Sequence, residues 1–204
     1  MSEPNSLKSK DLPLVELKLP QDRWPCFNSL LRHGFYVQAP GGISLQQILN
    51  QEFNIPLDYL QNRVQTIFLD ACPVDDLDKA YPEAWSVLAL SSAMPGLVGA
   101  TMRKGGYFAA LRESISHKEQ TAAKGQQELP LQIKLFNFLA SELAENFLSR
   151  GIFMDNRSLL EFMQQQGSSF WAPPAKIFLQ GREVDWAELE SHLQKHGQTG
   201  LQVH

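Results

Sequence analysis

The chain has 204 residues, 43% of them apolar and 10% aromatic, which is enough to build a packed core and excludes disorder of the whole chain. Its net charge of -4 gives no long-range attraction to a phosphate backbone, so nucleic acid is not expected as a partner. No run approaches the ~20 consecutive apolar residues of a membrane span, and the polar start MSEPNSLKSKDLP lacks the apolar region of a secretory signal, so a cytoplasmic protein without a membrane anchor is expected.

In chain order, residues 1–11 are polar and without periodicity and read as a loose terminus. Leu14 to Leu19 alternates apolar and polar as a half-buried strand does. Trp24 to Arg32 reads as a short helix closed by Gly34, and Phe35 to Ala39 as a second strand. Ser44 stands where it caps a helix from Leu45 to Phe53 with Leu45, Ile48, Leu49 and Phe53 on one face. Asn54 to Asn62, containing Pro56, reads as a connection to the buried strand Val64 to Leu69. Ala84 to Leu90 is the last strand of this half.

The central stretch VQTIFLDACPVD, Val64 to Asp75, returns in shorter form as AKIFLQGREVD, Ala175 to Asp185. In each copy an Ile-Phe-Leu strand meets a tight turn, and Val-Asp follows the return. The other elements recur in the same order. Leu131 to Phe136 matches the first strand, with Ile133-Lys134-Leu135 opposite Leu17-Lys18-Leu19, and Ser141 to Ser149 matches the first helix. Arg150-Gly151-Ile152-Phe153 matches His33-Gly34-Phe35-Tyr36, Ser158 with Leu159 to Met163 matches Ser44 and its helix, and Leu201 to Val203 is the last strand. Five matches in one order indicate a duplicated unit.

The order strand, strand, helix, strand, tight turn, strand, carried by SLQQILNQEF, VQTIFLDACPVDDL and WSVLAL, resembles the β-grasp fold of the ubiquitin-like family and of the small sulfur carriers of molybdopterin and thiamine biosynthesis. In the second half QIKLFNFLASELAENF, SLLEFM and IFLQGREVD are similar to the same carriers. The resemblance implies an α+β protein of two tandem β-grasp-like units, each a mixed sheet packed on a helix, at 12–92 and 129–204. A Gly-rich segment and linker, 93–128, joins them. It also implies a place near sulfur transfer or cofactor assembly. The carrier mechanism needs a free C-terminal Gly-Gly, whereas this chain ends Gly-Leu-Gln-Val-His, and Gly105-Gly106 would serve only after cleavage before Tyr107.

What the two halves do not share is PGLVGATMRKGGY, Pro95 to Tyr107. Its glycines permit close backbone approach and its two cations suit an anion, which marks Gly96, Gly99, Arg103, Lys104, Gly105, Gly106 and Tyr107 as the candidate ligand- or partner-binding residues. It matches neither GxxxxGK followed by Ser or Thr nor GxGxxG, and a short helix is expected over Tyr107 to Ser114. Asp70, Asp75, Asp76 and Asp78 read as a solvated turn face, because the calcium-loop spacing is absent. Cys26 and Cys72 read as structural thiols, and His192 with His196, one turn apart on an expected helix, as exposed residues. Trp171 before Pro173-Pro174 reads as a loop anchor.

No catalytic residue, metal site or cofactor is assigned on these grounds. We expect a non-catalytic binding or scaffold protein engaging a protein partner, with an enzyme or ligand-binding protein holding a small anion at 95–107 as the alternative.

Overall fold

A computed structural model of the chain describes residues 12–94, 96–104, 106–107, 128–195 and 197–204. The first half supplies strands β1 (Leu14–Lys18), β2 (Phe35–Pro40), β3 (Thr66–Leu69), β4 (Cys72–Pro73) and β5 (Val87–Ser91). Between them lie a 3-10 helix (Gln21–Phe27) and helices α1 (Asn28–His33), α2 (Leu45–Gln47), which runs on as a π-turn over Ile48–Glu52, and α3 (Leu57–Asn62). Helix α4 (Gly96–Met102) follows. The second half supplies β6 (Glu128–Phe136), α5 (Leu139–Glu142), α6 (Ala144–Leu148), β7 (Ile152–Asp155), α7 (Asn156–Gln164), α8 (Ser168–Trp171), β8 (Lys176–Leu179), β9 (Arg182–Val184), α9 (Trp186–Leu193) and β10 (Gln198–Val203).

The architecture is α+β, with all ten strands in one mixed sheet of order β4-β3-β5-β6-β2-β7-β10-β1-β8-β9. Each half of the chain lends its first strand to the other, and the pairing of β2 with β7 joins the two half-sheets, so two separate sheets do not form. Strand β1 lies parallel to β10 and antiparallel to β8, while β6 lies parallel to β5 and antiparallel to β2. The half-sheets meet where β2 and β7 pair antiparallel through Tyr36 and Phe153, residues at matched positions of the repeat.

Period-two burial fixes the core face. In β6, Leu129, Leu131, Ile133 and Leu135 are buried while the residues between them are not, so one face of the sheet carries the core. Phe35, Phe53 and Phe147 fill its middle, with ring centroids 5.1 Å apart for Phe35 and Phe147 and 5.2 Å for Phe53 and Phe147. Phe27, Phe162 and Phe170 form a second aromatic group.

Local chemistry explains most boundaries. Ser44 and Gln47 form a reciprocal capping box at α2. Gly34 and Gly151, at matched positions, both take positive φ at the entry to β2 and β7. Several elements differ from the sequence expectation, among them α4, which lies within the Gly-rich segment ahead of the helix expected there, and α8, which takes up Trp171. Residues 57–62 are helical, since Pro56 starts α3 and does not break it, a place where a missing N-H costs nothing. Helix α7 is capped by Asp155, whose side chain accepts from Ser158 N, and Ser158 lies inside the helix. Apart from Tyr107, the helix expected over 107–114 lies outside the described residues, as do residues 1–11, Gly105, His196 and the polar run 118–127. Among the described residues no helix is long and apolar enough to cross a membrane.

Candidate functional site

The register puts Thr66, Ser91 and Phe136 in one row across β3, β5 and β6, and the Gly-rich segment is anchored at this end of the sheet. Lys104 N donates to Gln65 O at 2.8 Å, and the Arg103 guanidinium donates to Gln65 Oε1 at 2.8 and 3.2 Å. Lys104 Nζ donates to Leu60 O at 2.8 Å. The two cations expected to meet an anion therefore grip the chain's own β3 approach and α3. Burial lowers the Lys104 pKa from its ordinary value, and the Asp75 charge partly offsets that.

Two glycines have structural reasons to be there. Gly96 takes φ +75 at the start of α4, and a Cβ on Gly99 would lie 1.7 Å from Met94 O, so only glycine fits that turn. At Gly106 the nearest neighbour of such a Cβ would be Arg103 O at 3.1 Å. Tyr107 is 94% exposed. The structure thus brings Arg103, Lys104, Gly106 and Tyr107 together, sets Gly96 and Gly99 in the helix that leads to them, and leaves Gly105 outside the described residues.

A cleft of about 360 Å³ opens beside the segment, with Lys104 facing Asp75 and Asp76 and with Gln46, Gln61 and Leu57 on its walls. Arg103 is not part of it. The neighbouring carboxylates are tied to the fold. Asp70 accepts from Ser86 Oγ at 2.8 Å and Val87 N at 2.7 Å, Asp76 pairs with Lys79, and Asp78 accepts from Gln46 Nε2 at 2.7 Å. Among the described residues no three His, Cys, Asp or Glu side chains converge as metal ligands.

No protein-family model, curated protein or solved structure matches this chain.

The same sheet end carries Phe138, 64% exposed, which the sequence pattern did not single out. Phe136, expected in the core with its apolar periodic strand, is instead 39% exposed, on the face opposite Leu135. The Arg63 guanidinium lies 5.4 Å from the Phe138 ring centroid and pairs with Glu142, which also accepts from Tyr59 OH at 2.6 Å. Hydrogen bonding to Arg63 pulls the Glu142 carboxyl below its usual value, while burial and the bond to Glu142 push the Tyr59 phenol up. Phe-Asn-Phe directly after a strand that alternates through Leu135 was the available signal, because its phase places Phe136 away from the core.

The remaining candidates resolve into structure. Trp171, expected in a loop, ends helix α8 and is half-buried between Phe170 and Trp186, with centroids 4.8 and 5.2 Å away. His192, expected to be exposed, is partly buried: its Nε2 is 3.5 Å from Thr199 Oγ1, which donates to Asn156 Oδ1 at 2.7 Å, and burial lowers the His192 pKa.

Proposed function

We propose that the chain is a non-catalytic binding protein of two β-grasp-like units with exchanged first strands, engaging a protein partner at the sheet end that carries the Gly-rich segment. The observation behind this is the exposure of three aromatic residues there, Tyr107, Phe138 and Phe136, on elements tied down by Arg103, Lys104 and Arg63. Exposed aromatics on a rigid support are the residues that dominate protein interfaces, since they offer large contact area at little entropic cost. The sheet edges are poorer docking sites, because β4 and β9 span only two and three residues. The same proposal keeps the protein in the cytoplasm, where the unpaired thiols of Cys26 and Cys72 are at home. A connection with sulfur or cofactor metabolism rests on the β-grasp resemblance alone.

A photo-crosslinking residue placed at Tyr107 in the native cell, with Arg157 as an exposed control position, tests this. A discrete adduct from position 107, absent from 157 and lost with Phe138→Ala, is expected. Equal labelling from both positions, or monomer alone, would defeat the proposal.

The cleft at Lys104 is where the alternative reading, a small molecule with an anionic group held beside the Gly-rich segment, would have to be met. The lysine offers one positive charge, whereas Asp75 and Asp76 repel an anion and leave the balance negative. Calorimetry with inorganic phosphate and acetate distinguishes the readings: saturable heat lost in Lys104→Met supports the cleft, and no heat removes it.

A further inference from the structure

A pocket of about 290 Å³ lies away from the Gly-rich end, where helices from the two halves of the chain face each other. One wall is the 3-10 helix with the start of α1, carrying Gln21, Trp24 and Asn28, and the other is α5 and α6, carrying Ser141, Ala144 and Glu145. Trp24 and Ser141 are 117 positions apart, and so are Asn28 and Glu145, the spacing that also separates the paired Tyr36 and Phe153. The pocket therefore sits between matched positions of the repeat. Its walls nevertheless differ in chemistry, with an indole and an amide facing a hydroxyl and a carboxylate.

Two atoms of residues on one wall, Trp24 Nε1 and Asn28 Oδ1, are shut off from solvent and have no hydrogen-bond partner among the described residues. The first is only a donor and this amide oxygen only an acceptor. Groups buried in this way are nearly always paired in native proteins. The wall is held where it is, since Arg23 Nη1 donates to Phe170 O at 2.8 Å and Ala172 O at 2.6 Å and the buried Phe27 packs on Phe162 and Phe170. Ser141 Oγ already donates to Phe138 O at 3.0 Å, so its proton is not offered to Asn28.

We propose that this pocket binds a small neutral ligand through an amide group. A turn of the Trp24 and Asn28 side chains brings these atoms to the cavity, where the amide carbonyl accepts from Trp24 Nε1, its N-H donates to Asn28 Oδ1, and the apolar remainder lies against the Trp24 ring, Pro25 and Ala144. An amide carries this donor and acceptor on adjacent atoms of one plane. The Glu145 carboxylate on the facing wall selects against an anion in the same position.

The test is titration of the 15N-labelled full chain with benzamide, acetophenone and benzoate, following the indole N-H resonance that disappears in Trp24→Phe. Benzamide is expected to shift that resonance saturably, acetophenone, which lacks the N-H, to bind at least fivefold more weakly, and benzoate not to bind. Asn28→Leu should weaken benzamide roughly five- to tenfold, the range for one hydrogen bond. Should that variant not fold, ligand-observed binding to Trp24→Phe is expected to fall by a similar factor. No saturable shift, equal affinity for benzamide and acetophenone, or an unchanged affinity in both variants overturns the proposal. So does a long-lived water at the indole N-H that benzamide does not displace.

Discussion

At the scale of single residues, Gly99 and Lys104 show how tightly the Gly-rich segment is fitted. A methyl at Gly99 meets the Met94 carbonyl, a backbone atom that moves only if the turn into α4 opens. Gly99→Ala is expected to cost about 1–3 kcal/mol, as forced overpacking does, and a urea midpoint equal to wild type would contradict this fit. Lys104 makes a prediction about pH. Its pKa is lower in the folded protein than in the unfolded chain, so between the folded value and 10.5 the unfolded state holds more protons and stability rises with pH. The desolvation penalty is present below the folded pKa and is relieved as pH climbs toward 10.5. Lys104→Met removes that gain, so wild type should improve relative to the variant from neutral pH to pH about 10. Parallel pH profiles of unfolding free energy in the two proteins would sink the assignment.

At the scale of elements, the hairpin between β3 and β4 turns through Asp70 and Ala71, both with positive φ, at 50 and 64 degrees. The matching turn of the second half uses Gln180 and Gly181 at 52 and 78 degrees. A two-residue turn of this hand suits the twist of the strands it joins, and glycine meets its second position without a Cβ penalty. Ala71→Gly should therefore stabilise the protein by about 1 kcal/mol in thermal or urea unfolding, while loss of stability would show that Ala71 makes a contact the backbone argument omits. Asp70→Ala removes the acceptor for Ser86 Oγ and Val87 N and is expected to cost about 1–3 kcal/mol.

These turns were legible in the sequence because Ile-Phe-Leu before a short run of small or polar residues leaves the chain few alternatives. Strands β1, β2, β6 and β7 were legible for a related reason, since period-two burial leaves its mark on the residue pattern. Helix α3 was not, because Pro56 reads equally as a stop or as a start and only the packing of Leu60 decides. The part of the site made by Arg63, Tyr59, Phe138 and Glu142 was also hidden. Its residues are up to 83 positions apart, and no local pattern joins them.

At the scale of the whole molecule, the exchange of first strands was beyond reach of the sequence for a specific reason. Leu17-Lys18-Leu19 and Ile133-Lys134-Leu135 carry the same alternation, so either strand fits either slot by hydrophobic phase, and pattern alone does not say which half receives it. In the fold, Val15 and Leu17 are fully buried among strands of the second half, and β6 separates β2 from β5 in the first. A fragment of residues 1–107 thus keeps β2 and β5 but loses the strand that bridges them, while 128–204 loses the strand between β10 and β8. Burial of two such side chains alone is worth about 1.5–3 kcal/mol each, and a central strand also supplies main-chain hydrogen bonds on both edges. Each fragment alone is therefore expected to lack a cooperative unfolding transition by circular dichroism, and an equimolar mixture to recover one and to elute as a single complex. If 1–107 unfolds cooperatively by itself, β1 has moved into the slot of β6, and the exchange is one of two accessible pairings and not a requirement of the fold.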